Sequence, residues 1–370
     1  MPEYYIGLMS GTSVDAIDAV LMDFSKSNTD IVSAFSQPIN SKLRDDINRL
    51  IATRQIPKNC GELDKQFAEI SCEAVEQLLK LSSIDADQVT AIGSHGQTVF
   101  HDPKGNHAVS IQIGNPQHIA NTTRIPTIGN LRQADIDAGG EGAPLACVYH
   151  AATLQSSEEE RIVVNLGGIA NITKLPKNKK QPIIGFDTGP ASTLMDAWTQ
   201  QNLNKPYDTD GAWAQAGTAN TALLENMLKD DYFSAPPPKS TGREYFNLKW
   251  LQRFLNAQNE TVSAQDIQAT LLLLTAYSVA DSIKTWCPES KKILLCGGGS
   301  ENKFLVQQLK QTLEDKTIQN TNDYGIPTNW MEAMAFAWLA KQHIEHKPGN
   351  IPSVTGADKA VKLGELFEPI

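Results

Sequence analysis

Residues 4–24 read YYIGLMSGTSVDAIDAVLMDF. Two apolar, β-rich runs flank a tight loop of Ser, Gly, Thr and Asp, and "DIVSAFSQPI" (30–39) adds a third run of the same kind. Apolar runs bounded by turn residues predict strands, here an antiparallel meander. The pattern returns at 161–175, RIVVNLGGIANITKL: strand, glycine turn, strand. Two halves that each open with a hairpin carrying a tip of small or hydroxyl residues predict a duplicated α/β architecture with a cleft between the halves. A chain of 370 residues has the length for two domains.

Working outward, helices are predicted at about 41–54 and 61–81; the second has Leu63, Phe67, Ile70, Ala74, Val75, Leu78 and Leu79 at helical spacing. "QVTAIGSHGQTVF" (88–100) reads as a strand ending in a glycine-rich turn, and "APLACVYHAATL" (143–154) as a connecting helix. In the second half, "PIIGFDTGP" (182–190) reads as a strand, with Pro190 in the favoured first position of the next helix. Helices follow at about 247–257 and 263–285. "KKILLCGGGSENKFLVQQL" (291–309) is strand, glycine loop, helix, and "NWMEAMAFAWLAKQH" (329–343) is a last amphipathic helix. Residues 155–160 and 235–244 read as loops. These elements divide the chain into domains at 1–150 and 151–344, with the tail 345–370 packing back on the first.

Composition narrows the function. The net charge is −10, from 32 basic and 42 acidic residues, with "KNKK" (177–180) the one short basic run. That balance argues against nucleic acid as a partner. Five scattered cysteines without a C-x-x-C pair point to a reducing compartment and no zinc site. No basic stretch precedes an early apolar one, so no signal peptide is expected. "ATLLLLTAYSVADSI" (269–283) is too short and interrupted to span a bilayer and reads as a buried core helix. The expected compartment is the cytoplasm, with no membrane partner.

Four stretches can carry chemistry. The 10–13 loop, SGTS, can aim consecutive N–H groups and the hydroxyls of Ser10, Thr12 and Ser13 at one point, as phosphate oxygens require. It is neither a Walker A nor a G-x-G-x-x-G sequence, and a plain hairpin tip is the alternative. "NLGGIAN" (165–171) offers a second tip of the same kind. "LLCGGGSEN" (294–302) lets backbone approach a ligand, or is simply a tight strand–helix turn. Asp187 in "GFDTGP" is either a carboxylate held to take a proton or a helix N-cap. Glu332 either serves the site or lies on a solvent face. His95, His101, His107 and His118 have unrelated spacings and make no metal set. No G-x-S-x-G supports a Ser/His/Asp hydrolase.

The order of these blocks resembles the superfamily of sugar kinases, actin and heat-shock ATPases. More narrowly it resembles the anhydro-N-acetylmuramic acid kinases. The resemblance runs nearly end to end: "GLMSGTSVDAID", "GSHGQTVFH", "AGGEGAPL", "NLGGIANIT", "GFDTGPAS", "PPPKSTGREYFN", "LLCGGGSEN" and "EAMAFAWLA". It implies two ribonuclease-H-like domains with an active-site cleft between them. The implied reaction opens the 1,6-anhydro bridge of the sugar with water while O6 takes the γ-phosphate of ATP, giving N-acetylmuramic acid 6-phosphate within cell-wall recycling.

Carried onto this chain, the resemblance makes Asp187 the general base. Gly11, Thr12, Ser13, Val14, Asp15, Ala16, Ile17 and Asp18, with Asn165, Gly167, Gly168 and Asn171, would hold the phosphates. Gly297, Gly298, Gly299 and Asn302 would flank the nucleotide. His95, Gln97, Thr98, Arg132, Asp135 and Glu332 would face the sugar. Mg2+ would ride on the ATP phosphates, largely through waters and with a water bridge to Asp187, and no direct protein ligand is assigned. The family also suggests a homodimer, though no interface is visible in the residues. Two positions depart from the family pattern: Ala16 stands in place of a usual Gly, and Asn130 in "NLRQAD" (130–135) in place of an acid. Competing readings are a kinase for another sugar, an ATP-independent glycoside hydrolase pairing Asp187 with Glu332, and a nucleotide-dependent regulatory protein. The hydrolase leaves three glycine tips without a task, and the regulator lacks a visible partner-binding domain.

Overall fold

In the computed structural model, which describes residues 1–57, 60–105, 108–258 and 260–370, the opening stretch forms the predicted hairpin. β1 (Tyr4–Met9) pairs antiparallel with β2 (Ala16–Asp23), from Tyr4 opposite Asp23 to Met9 opposite Asp18, and β2 pairs with β3 (Ile31–Pro38). The 88–100 stretch is two strands, not one. β4 (Val89–Ser94) lies parallel to β1, the chain breaks at His95–Gly96, and β5 (Gln97–Asp102) leaves to pair with β6 (Val109–Ile113) as a separate ribbon. Gly96 makes the break possible: its φ is +69°, and a Cβ there would sit 2.6 Å from the Ile113 carbonyl oxygen. β7 (Thr127–Gly129) continues the main sheet in parallel with β4.

The chain forms two compact units, Met1–Thr153 with Trp330–Ile370, and Leu154–Asn329. The second repeats the first. β8 (Arg161–Leu166) and β9 (Ile169–Leu175) form its hairpin, β10 (Ile184–Pro190) adds to β9, and β11 (Lys292–Cys296) and β12 (Thr317–Asn320) extend the other side in parallel. The sheet order is β10-β9-β8-β11-β12. The helix Ala264–Trp286 covers this sheet and is buried along most of its length through Leu271, Leu272, Leu274, Val279, Ala280 and Ile283. The run 269–283 is thus a core helix, and among the described residues no helix is long and apolar enough to cross a membrane. β13 (Glu365–Phe367) returns to the first unit and pairs with β7, giving β13-β7-β4-β1-β2-β3. In both sheets the first hairpin strand has its partner hairpin strand on one side and a parallel strand on the other, which is the duplication read from the sequence.

Further expectations need revision, at the helix 331–344 and at Pro190. The helix Met331–Ile344 lies in the first unit, although the sequence reading put the boundary after 344. Its place is fixed by glycine: a Cβ on Gly7 of β1 would lie 1.9 Å from the Ala333 carbonyl oxygen, and one on Gly93 of β4 would lie 2.0 Å from that of Phe336. The helix backbone rests directly on those strands. It is also buried almost all round, from Met331 through His343, so it is a core helix and not an amphipathic one. Pro190, second, does not begin a helix. Gly189 and Pro190 still pair with Ala170 and Ile169, and the helix Ser192–Leu203 starts after Ala191.

Candidate active site

Asp187 sits inside β10, opposite Asn171 of β9, and Asn171 in turn stands opposite Asn165 of β8. Directly opposed residues share a face of the sheet, so the three polar side chains form one row across three strands. Asp187 is 8% exposed and is not a helix N-cap, since Ala191 holds that position. Its carboxylate Oδ2 accepts from the Ser240 hydroxyl (3.0 Å) and the Thr241 backbone N–H (2.9 Å). Its backbone is pinned as well: its N–H donates to the Lys239 carbonyl at 3.0 Å, and the Tyr232 hydroxyl donates to its carbonyl at 2.8 Å. Lys239 is buried, with Nζ donating to the carbonyls of Tyr232 (2.8 Å) and Phe233 (3.2 Å) and lying 4.7 Å from the Tyr232 ring centre. Burial pulls the Lys239 ammonium below its ordinary range, and the Asp187 charge works the other way. The "PKSTG" loop therefore wraps the carboxylate and fixes its direction.

The glycine tips divide into backbone that serves the fold and backbone left open. The carbonyls of Gly167 and Gly168 accept from the N–H groups of Ala191, Ser192 and Thr193, satisfying the start of the following helix. Asn171 Oδ1 is buried with no hydrogen-bond partner among the described residues, an uncommon condition for a buried acceptor. Gly297 has φ +79°, and a Cβ there would lie 2.4 Å from Asn165 Oδ1; one on Gly299 would lie 2.8 Å from Leu166 Cβ. These two glycines let the turn close on the end of β8. Gly298 has no atom of the described residues within 4 Å of where its Cβ would be, so it alone of the three faces open space. Asn302 caps the helix Lys303–Thr312, its Oδ1 accepting from the Leu305 N–H at 3.0 Å.

In the first unit, the loop after β1 turns through Val14, whose φ is +53°. The Val14 and Ile17 side chains are core, at 0% and 1% exposure, so only their backbone can reach a ligand. Gly11 has open space in place of a side chain, Thr12, Ser13 and Asp15 are exposed, and the Ser13 hydroxyl donates to Asp15. Ala16 begins β2 opposite Pro38 with no positive φ, so its Cβ is accommodated. Asp18 accepts from the Ser36 hydroxyl at 2.8 Å; burial, helped by nearby Asp15, raises its carboxyl to about 6.

His95, Gln97 and Arg132 are brought together around the β4–β5 break. The Ser10 hydroxyl donates to Gln97 Oε1 at 2.8 Å, and Thr98 Oγ1 accepts from Gln112 at 3.2 Å. Arg132 donates through Nε (3.2 Å) and Nη2 (2.8 Å) to His95 Nε2, and through Nη1 to the Gly142 carbonyl at 2.6 Å. The buried His95 ring packs on Phe336 with centroids 4.8 Å apart, and burial with the adjacent guanidinium holds it neutral, well below its ordinary value. Glu332 is half-buried in the first turn of its helix. Asn130 is exposed at φ +53°, a conformation Asn tolerates well. Asp135, expected against the sugar, is instead 0% exposed, and its oxygens accept three hydrogen bonds from the protein itself.

The profile of the anhydro-N-acetylmuramic acid kinases matches residues 3–369. The chain belongs to the anhydro-N-acetylmuramic acid kinase family. Two relatives bearing that name are the protein of Coxiella burnetii (strain Dugway 5J108-111), 45% identical over 99% of this chain and 97% of its own, and that of Saccharophagus degradans, 43% identical over the whole of both. Among solved structures it is similar to the activator of the 2-hydroxyisocaproyl-CoA dehydratase from Clostridium difficile with bound ADPNP, at 12% identity and TM-score 0.49 over 92% of this chain and 96% of that one. As a member of this kinase family the chain is a sugar kinase, and two groups of residues acquire interest that their sequence did not advertise. Lys239, Ser240 and Thr241 sit in what reads as a plain loop, and a Lys-Ser-Thr run between Pro and Gly is the signal that could have marked them. Asn350 and Thr355, which hold Asp135, lie in a tail with no such signal.

Proposed function

We propose that Asp187 is the general base in an ATP-dependent reaction on 1,6-anhydro-N-acetylmuramic acid. Water attacks C1 of the sugar and gives a proton to the Asp187 carboxylate as the bond from C1 to the bridging oxygen breaks. The bridging oxygen, now O6, bonds to the γ-phosphorus, and the bond from that phosphorus to the β,γ-bridging oxygen breaks to release ADP. The products are N-acetylmuramic acid 6-phosphate and ADP, a step of murein recycling.

The observation that carries this reading is the setting of Asp187. A carboxylate at 8% exposure, fixed by two donors on one oxygen and by its own backbone, can take a proton without reorganising. The row it forms with Asn171 and Asn165, and the open positions at Gly298 and Gly11, supply polar groups and accessible backbone suited to phosphate. His95, held neutral, and Arg132 supply donors and charge suited to a polar sugar.

Among the described residues no group of three or more His, Cys, Asp and Glu side chains could hold a metal ion. Mg2+ asks for less, needing one or two carboxylates beside phosphate oxygens and water, and Asp187, whose Oδ2 already accepts two hydrogen bonds, suits a contact through water. Bound with ATP, Mg2+ would neutralise charge on the phosphates. The need for ATP supports the cytoplasm as the compartment. A homodimer belongs to the same reading on family resemblance alone, and sedimentation velocity would measure it directly.

The experiment follows ADP release with ATP and Mg2+ across a panel of anhydro and reducing sugars. Release confined to 1,6-anhydro-N-acetylmuramic acid is the expected result. Equal release with reducing sugars would assign another substrate, and sugar opening without ATP would indicate a hydrolase.

A further inference from the structure

The Asp135 carboxylate is completely buried, and among the described residues it accepts from three donors in two separate stretches of the chain. Oδ2 accepts from the Gly142 N–H at 2.8 Å, while Oδ1 accepts from Asn350 Nδ2 at 2.6 Å and from the Thr355 hydroxyl at 2.7 Å. Two of the three donors come from the C-terminal segment, more than two hundred residues away. That segment is stitched to the same turn by backbone, with the Glu141 N–H donating to the Thr355 carbonyl at 2.7 Å and the Asp358 N–H to the Ala138 carbonyl at 2.8 Å. There is no slack: a Cβ on Gly140 would lie 2.2 Å from Asp135 Oδ2 and 3.0 Å from Ala357 Cβ.

The turn so fixed ends at Gly142, the residue whose carbonyl receives Arg132 Nη1, while His95 receives the other edge of the guanidinium. The orientation of a planar guanidinium is set by where its acceptors lie. We propose that Asn350 and Thr355 are positioning residues for the sugar substrate, acting through Asp135 and the Gly140–Gly142 turn on Arg132. The C-terminal segment thus determines how well the sugar is held without touching it. This rests on the reading above in which Arg132 faces the sugar.

The test measures kcat and the two KM values, for 1,6-anhydro-N-acetylmuramic acid and for ATP, in the full-length protein and its Thr355→Val, Thr355→Ser, Asn350→Ala and Arg132→Gln variants. Thr355→Val leaves a buried carboxylate short of one donor, and is expected to raise the sugar KM about tenfold with the ATP KM within about twofold of the parent. Thr355→Ser, which restores the hydroxyl, should return the sugar KM toward the parent value. Asn350→Ala is read in the same way and decides the matter should Thr355→Val fail to fold. A parental sugar KM in a folded variant, or a parallel rise of both KM values, overturns the proposal. Arg132→Gln separates its two foundations. If that variant raises the sugar KM and the tail variants do not, the relay is wrong while the role of Arg132 stands. If Arg132→Gln leaves the sugar KM unchanged, both fall.

Discussion

The Ser240 hydroxyl lies 3.0 Å from Asp187 Oδ2, on the same oxygen that receives the Thr241 backbone N–H at 2.9 Å. A residue from a proline-rich loop, more than fifty positions away in sequence, thereby fixes the direction of a strand carboxylate. Removing the hydroxyl leaves the backbone donor in place, so the expected effect is a graded one. Ser240→Ala should lower kcat about tenfold, the scale of one hydrogen bond to a charged group, with little change in ATP KM. Steady-state kinetics with ATP and sugar varied separately checks this, and an unaltered kcat would mean that the hydroxyl does not orient the base.

The three consecutive glycines should separate into two behaviours. Gly297→Ala forces a Cβ to within 2.4 Å of Asn165 Oδ1 at a φ of +79°, so it should cost more than about 1 kcal/mol of stability in a denaturant titration. Gly298→Val meets no atom of the described residues within 4 Å of its new Cβ and should leave the unfolding midpoint near the parent. Calorimetry should nevertheless find weaker ATP binding in Gly298→Val, because a branched side chain then fills space assigned to the nucleotide. Parental ATP affinity would remove Gly298 from the nucleotide site.

Asp18 carries a pH signature. Its carboxyl rises on folding from 3.8 to about 6, chiefly through burial, so the folded protein binds that proton more tightly than the unfolded chain does. The resulting stability is fully present below about pH 3.8 and is lost as the pH climbs through about 6. Asp18→Asn removes the charge and keeps a polar side chain beside Ser36. Its Tm gain over the parent should therefore be larger at pH 8 than at pH 5. An equal difference at both values would show that Asp18 does not titrate in this range.

Much of the fold is legible in the sequence because the signals are local. The hairpins 4–24 and 161–175 and the helix 264–286 follow from apolar runs and turn residues that act over a few positions. The misplaced helix 331–344 shows the limit: its sequence reads as amphipathic, and only the absent side chains of Gly7 and Gly93 show that its backbone packs on the strands. Pro190 misleads for a related reason, since strand pairing to Ile169 outweighs its preference for the start of a helix. At the site, Asp187 is visible as a lone acid ending an apolar run. Ser240 and Thr241 are not, because hydroxyl residues in a loop are ordinary until a carboxylate is found within 3 Å. The family resemblance puts Asp135 against the sugar, whereas its donors from residues 350 and 355 make it a buried anchor.

Turnover of Asp187→Asn tests the assignment of the base most directly. Asparagine keeps the size of the side chain and an oxygen to accept from Ser240 and Thr241, but it cannot take the proton of the attacking water. Single-turnover ADP release with saturating ATP and 1,6-anhydro-N-acetylmuramic acid should fall on the order of a hundredfold or more, while calorimetric affinities for both ligands stay close to the parent. A folded variant that binds both ligands and still turns over near the parent rate would contradict the assignment.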